Sequence, residues 1–208
     1  MLNLNNVTPA EYDNTPLELM PDGTIVRGIV KLVGGDTELP EFGAGQYFKS
    51  SLSSAAKWLP IEVTIVGGQF DKRKVWHNIF VDGNKMSERG VPIAKEIGLR
   101  MLKSMIDSAK NLSSKDDTPE AQAARNLNGV NDLNGVSICF AIGIEKSNDP
   151  QYADKNKIKY VLTAESKGFI AGDPSAIAVQ APVATPANPT AGTPQTTATA
   201  GVTPPWAR

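Results

Sequence analysis

Chemistry in this chain concentrates in the loop Gly67-Gly68-Gln69-Phe70-Asp71-Lys72-Arg73-Lys74, between the strand-like runs Ile61–Val66 and Val75–Val81. It sets one aromatic ring beside three consecutive cations at the tip of a predicted hairpin. A ring stacks on any base, and adjacent cations neutralise phosphates, so one ligand, an unpaired nucleic-acid strand, meets both demands. Tyr47, Phe48 and Trp76, with Trp58 as a further candidate, extend the set of rings. Lys49, Lys57 and the group Lys155, Lys157 and Lys159 extend the set of cations.

Other chemistries find little support. With His77 and Cys139 the only residues of their types, a Cys/His zinc site cannot be built and no intrachain disulfide can form. Cys139 lies in an apolar alternating run and reads as a small buried hydrophobe. No phosphate-binding glycine loop or nucleophile elbow is present. Asp36/Glu38 and Asp116-Asp117 are acidic pairs without further carboxylates at nuclease spacing. A non-enzymatic protein is expected, with no cofactor and no metal. No apolar run reaches the length of a membrane span and no signal-like N-terminus is visible, so a cytoplasmic protein is expected.

Net charge is −1 over 208 residues, which disguises its distribution. Residues 1–39 carry two basic and six acidic side chains, whereas residues 40–110 carry eleven and seven. The local field of that basic island, more than the total charge, would steer a polyanion.

The elements that must position these groups follow from periodicity. Thr24–Val33 is rich in β-branched residues after the turn Pro21-Asp22-Gly23; Val26, Gly28, Val30 and Leu32 share one face, and Gly28 marks an expected bend or bulge. Residues 38–57 read as a long loop, with a short helix possible at Ser51–Trp58. Ile61, Val63 and Ile65 alternate with polar residues. Val75, His77, Ile79 and Val81 alternate with Lys74, Trp76, Asn78 and Phe80, leaving open which face is buried. Val91–Leu112 reads as an amphipathic helix with Ala94, Ile97, Met101, Met105, Ala109 and Leu112 inward and Asp107 outward. Thr118 and Pro119 are cap and first residue of a second, short helix. Val136–Ile144 and Ile158–Leu162 are the fourth and fifth strands. Residues 174–208 hold seven prolines and a single charge, a composition that cannot build a core.

Five strands with the main helix between the third and fourth is the element order of the OB-fold, a five-stranded Greek-key barrel whose face and loops bind oligonucleotides. The expected layout is an N-terminal extension (1–20), an OB-fold-like nucleic-acid-binding domain (21–167) and a disordered Ala/Pro/Thr-rich tail (168–208).

Pro60-Ile61-Glu62-Val63 leading into Arg73-Lys74-Val75-Trp76-His77-Asn78-Ile79-Phe80, with the helix and Asp132-Leu133-Asn134-Gly135 that follow, resembles a group of phage-encoded single-stranded-DNA-binding proteins, some labelled only as a domain of unknown function. The resemblance covers about residues 20–165. It implies that Arg73, Lys74 and Trp76 lie near the DNA path, that Asn78 and Gly135 are structural, and that the setting is replication or recombination. Many single-strand binders recruit partners through an acidic tail tipped by an aromatic. This tail has Trp206 but almost no charge, so recruitment of phage or host replication and recombination proteins by that route is in doubt. The alternative is a protein-interaction or virion-associated β-barrel with a flexible assembly arm. The sequence leaves open DNA against RNA and whether the protein forms homo-oligomers.

Overall fold

In the computed structural model, residues 18–149 and 151–173 are described, so the expectations for the N-terminal segment before residue 18 and the tail from residue 174 fall outside the described residues. Six antiparallel strands form one sheet: β1 (Ile25–Leu32), β2 (Lys49–Ser50), β3 (Lys57–Ile65), β4 (Lys74–Asp82), β5 (Ser137–Glu145) and β6 (Lys155–Leu162). Two α-helices, α1 (Ile93–Ala109) and α2 (Pro119–Ala124), lie between β4 and β5.

β1 is shared by both halves of the sheet. Its first part pairs with β5, from Ile25↔Ala141 to Ile29↔Ser137, and its second with β3, from Gly28↔Ile65 to Leu32↔Ile61. β4 adds to the far side of β3, and β6 to the far side of β5. Curling brings these two outer strands, β4 and β6, beside each other, although no backbone ladder joins them among the described residues. Gly28, expected at a bulge, sits where both ladders overlap without interruption. A Cβ there would stand 2.7 Å from Val63 Cγ1 and 2.8 Å from the Thr64 carbonyl, so glycine answers a close approach between strands.

Alternation fills the interior. Val26 and Val30, then Leu59, Ile61, Val63 and Ile65, then Val75, Ile79 and Val81 join Ile138, Phe140, Ile142 and Ile158 in one buried cluster. Each such side chain contributes about 1.5–3 kcal/mol by leaving water. α1 closes the cluster with Leu102, Met105, Ile106 and Ala109.

Four expectations need correction. No helix forms at Ser51–Trp58: the serine hydroxyls bond neighbouring backbone amides instead, and β3 begins at Lys57, four residues before the predicted strand, with Trp58 paired to Phe80. The predicted loop 38–57 also supplies a sixth strand, β2. The inward stripe of α1 is rotated from the expected one. Ile97 is 60% exposed and Asp107 is fully buried, because Gly98 faces β4 so closely that any Cβ would collide with the Phe80 carbonyl. Asp107 is held there by Lys103 at 2.9 Å and Arg125 at 2.6 Å, and Arg125 also bonds the Ser113 carbonyl, tying α2 to α1. Thr118 caps α2 as its type predicts, its hydroxyl accepting from the Ala121 amide. Residues 168–173, assigned to the tail by composition, lie against the sheet: the Ile170 carbonyl accepts from Arg27, and Gly172 exchanges two hydrogen bonds with the Asn111 side chain.

Candidate nucleic-acid interface

The β3–β4 tip is built by residues that tolerate a left-handed backbone. Gly67 and Gly68 have φ of 78° and 70°, and the Gly67 amide donates to the Asp71 carboxylate at 2.6 Å. Lys72 adopts φ 65°, uncommon for a residue with a side chain, and is exposed at the turn. Phe70 departs from expectation: its ring is half-buried against the core, with the Arg73 guanidinium 5.6 Å from its centroid. Arg73 in turn donates to the neutral Glu18 carbonyl at 2.7 Å and has no ion pair among the described residues.

β4 then separates its two faces. Val75, Ile79 and Val81 are buried, which aims Lys74, Trp76, Asn78 and Phe80 outward. Trp76 is 59% exposed and Phe80 47% exposed. Phe80 lies 5.8 Å from the half-buried Trp58 of β3, tilted by 45°, and Lys49 of β2 is paired across from Trp58. Lys49, Trp58 and Phe80 therefore form one row across three strands.

An open groove of about 1170 Å³ runs along β4. Trp76, Asn78 and Phe80 line it from β4, Ile97 and Met101 from α1, and Lys155, Asn156 and Lys157 from β6. Lys72, Arg73 and Lys74 line it at the tip of the hairpin, so six of the twelve sequence-predicted residues meet there. Several cations are neutralised in place. Lys74 pairs with Glu62 at 2.9 Å, Lys155 with Glu145 at 3.2 Å, Lys57 with Asp82 at 3.0 Å and Lys159 with Asp22 at 2.7 Å. Lys49, Lys72 and Lys157 have no ion pair among the described residues.

Titration follows these contacts. His77, on the inner face of β4 and in the groove lining, is pushed down to about 4, first by burial and then by the nearby Lys157 charge, against a smaller opposing pull from Glu145. The hydrogen bond from Lys57 holds the Asp82 carboxyl below its ordinary range, and Asp22 holds the Lys159 ammonium above its own.

The other six candidates, Lys49, Lys57, Phe70, Lys159, Phe48 and Tyr47, do not line the groove. Phe48 is fully buried, its ring 5.0 Å from that of Phe42, and is a core residue that no base can reach. Its neighbour Tyr47 is half-buried and donates its hydroxyl to Asn131 at 3.0 Å. Loop residues gave no alternation from which to assign them a face. Phe80, Asn78 and the α1 wall were absent from the sequence-derived site. Period-two spacing from Trp76 is the signal that reaches Asn78 and Phe80. Nothing local marks Ile97, whose exposure depends on how the helix rolls against Phe80.

No protein-family model matches the chain, and no curated protein matches it. Among solved structures, a chain described as yeast RPA bound to ssDNA aligns over 74% of this chain and 84% of its own length, at 8% identity and a TM-score of 0.28. A likeness that low carries no argument about fold or activity. Among the described residues, no helix is long and apolar enough to cross a membrane, and no cluster of three or more metal-ligating side chains occurs.

Proposed function

We propose that this protein is a non-enzymatic, sequence-tolerant binder of single-stranded DNA, and that the strand lies in the groove along β4. The observation that carries the reading is the pair Trp76 and Phe80, two exposed rings on one face of a strand that has one hydrogen-bonded neighbour, β3, among the described residues. Four residues of extended chain separate them, about 13 Å, which gives a base on each ring its own platform. Stacking contributes about 1–3 kcal/mol per base and does not discriminate between bases. Lys72, Arg73 and Lys157 supply uncancelled charge for phosphates at the groove's ends. The curled sheet with α1 between β4 and β5 supports an OB-fold reading in which β2 is an addition. Its setting, phage-type replication or recombination, rests on the sequence resemblance alone.

Fluorescence anisotropy with labelled oligo(dT) tests the reading, with duplex DNA and RNA of equal length as competitors. Lys72, Arg73, Lys85 and Lys157, the groove cations with no ion pair among the described residues, predict a salt dependence of about 3 log units of affinity per log unit of salt. Affinity that survives Trp76→Ala and Phe80→Ala together would remove the groove from the binding path. A protein-interaction module is the second reading, favoured by the apolar wall at Ile97 and Met101. It requires that oligo(dT) does not bind at low salt.

A further inference from the structure

Among the described residues, three asparagine side chains line the groove, and two of them already have partners. Asn156 exchanges two hydrogen bonds with the Met20 backbone, each of 2.9 Å, and the Asn84 side-chain carbonyl accepts from the Ala55 amide at 3.3 Å. Asn78 is different. It points outward midway between Trp76 and Phe80, and its side-chain amide has no hydrogen bond among the described residues. Its surroundings explain why. The neighbours on its own face of β4 are the two rings, Pro60 stands opposite it on β3, and Ile97 and Met101 form the α1 wall. None of these side chains offers a strong acceptor. Glu62, opposite Trp76, is engaged by Lys74 at 2.9 Å.

We infer that Asn78 holds the Watson–Crick edge of the base lying between those stacked on Trp76 and Phe80, and so helps restrict the groove to unpaired bases. The spacing agrees. Trp76 and Phe80 are about 13 Å apart along β4, whereas a splayed nucleic-acid strand advances at most about twice the 3.4 Å stacked rise per nucleotide. Bases on the two rings are therefore not neighbours in that strand, and the nucleotide between them passes over Asn78. The chemistry agrees as well. Every base carries a donor beside an acceptor on this edge, the amino group and a ring nitrogen in adenine and cytosine, a ring N–H and a carbonyl oxygen in guanine and thymine. A side-chain amide offers one of each, and a half-turn about its terminal torsion exchanges them at little cost. Asn78 can thus pair with any base, which keeps binding sequence-tolerant. In a duplex the same edge is closed by the complementary strand.

This role for Asn78 rests on the proposed function, and the test keeps the two apart. The full-length protein and its Asn78→Leu variant are titrated by anisotropy at low salt against labelled oligo(dT), oligo(dC) and an oligo(dT) of equal length with every thymine methylated at ring nitrogen 3. Methylation there leaves the stacking face and the phosphates but removes the donor on the edge. The unaltered protein is expected to bind the methylated strand about three- to ten-fold more weakly than oligo(dT), a comparison that needs no variant. Asn78→Leu, of similar size, is expected to lose about the same factor on oligo(dT) and on oligo(dC), and to bind methylated and unmethylated strands alike. Its urea midpoint should stay unchanged, because the side chain is exposed. Equal affinity of the unaltered protein for oligo(dT) and its methylated form, or a variant that still tells them apart, overturns the role of Asn78 and leaves DNA binding standing. Failure of the unaltered protein to bind any of these strands sinks the DNA reading and the edge contact with it.

Discussion

The two long hairpins carry similar basic residues to different ends. At the β3–β4 tip, Lys72 is exposed and has no ion pair among the described residues, Arg73 donates to a carbonyl and lies over the Phe70 ring, and Trp76 stands open two residues beyond Lys74. At the β5–β6 hairpin, Lys146 pairs with Asp154 at 2.7 Å, Lys155 with Glu145 at 3.2 Å and Lys159 with Asp22 at 2.7 Å, leaving Lys157 without an ion pair among the described residues. A count of lysines rates the hairpins alike. Available charge differs, because a carboxylate within hydrogen-bond distance already supplies what a phosphate would offer. The β5–β6 hairpin forms a lip of the groove, and under the proposed function the β3–β4 hairpin would provide most of its grip.

The largest effect should come from the ring that lies in neither hairpin. Phe48→Ala is expected to lower stability by about 3–5 kcal/mol in urea unfolding, and to leave oligo(dT) affinity of the folded protein unchanged. A loss of affinity without a loss of stability would return Phe48 to the binding surface. His77 stands where β4 meets β6 and tests that contact by pH. Its folded-state value near 4 lies below the ordinary one of about 6.5, so the unfolded chain binds the proton more readily. Stability should therefore fall as pH drops from about 6.5 to about 4, by up to roughly 3 kcal/mol, and level off below. His77→Gln should flatten that part of a melting-temperature profile. An unchanged profile in the variant would mean His77 is solvated and the junction loose.

Next in size is Trp76→Ala, expected to weaken oligo(dT) binding by about 1–3 kcal/mol with little change in stability, read by anisotropy and urea unfolding. The smallest effects draw the contrast most sharply. Lys72→Ala with Lys157→Ala should reduce the salt slope by about 1.4. Lys155→Ala with Lys159→Ala should leave that slope nearly unchanged, since each of those ammoniums is already paired. Equal slopes from the two double variants would abolish the distinction between the hairpins.

Much of the fold is legible along the chain because strand and cap signals are local. Ile138, Phe140 and Ile142 alternate with little ambiguity, and the Thr118 cap needs only its own turn. The α1 stripe held at Met105 and Ala109, which are buried, and failed at Ile97 and Asp107, because a rich apolar helix has more than one candidate face. Gly98, which contributes nothing to a hydrophobic pattern, chose between them by allowing contact with Phe80. Phe48 was misplaced for a related reason: in a loop without periodicity, a ring beside a lysine looks the same in a core as on a surface.

By itself the order of residues determined the alternation of the strands, the helix between β4 and β5, the cap of α2 and the clustering of basic residues in the central third. Tertiary structure alone decided which face of β4 meets water, which lysines find carboxylates and which rings stay open. Those outcomes depend on groups distant along the chain: Asp22 meets Lys159, Glu18 meets Arg73, and α1 turns its glycine toward β4. Periodicity reports a residue's own strand or helix, whereas exposure and free charge depend on what the fold brings beside it.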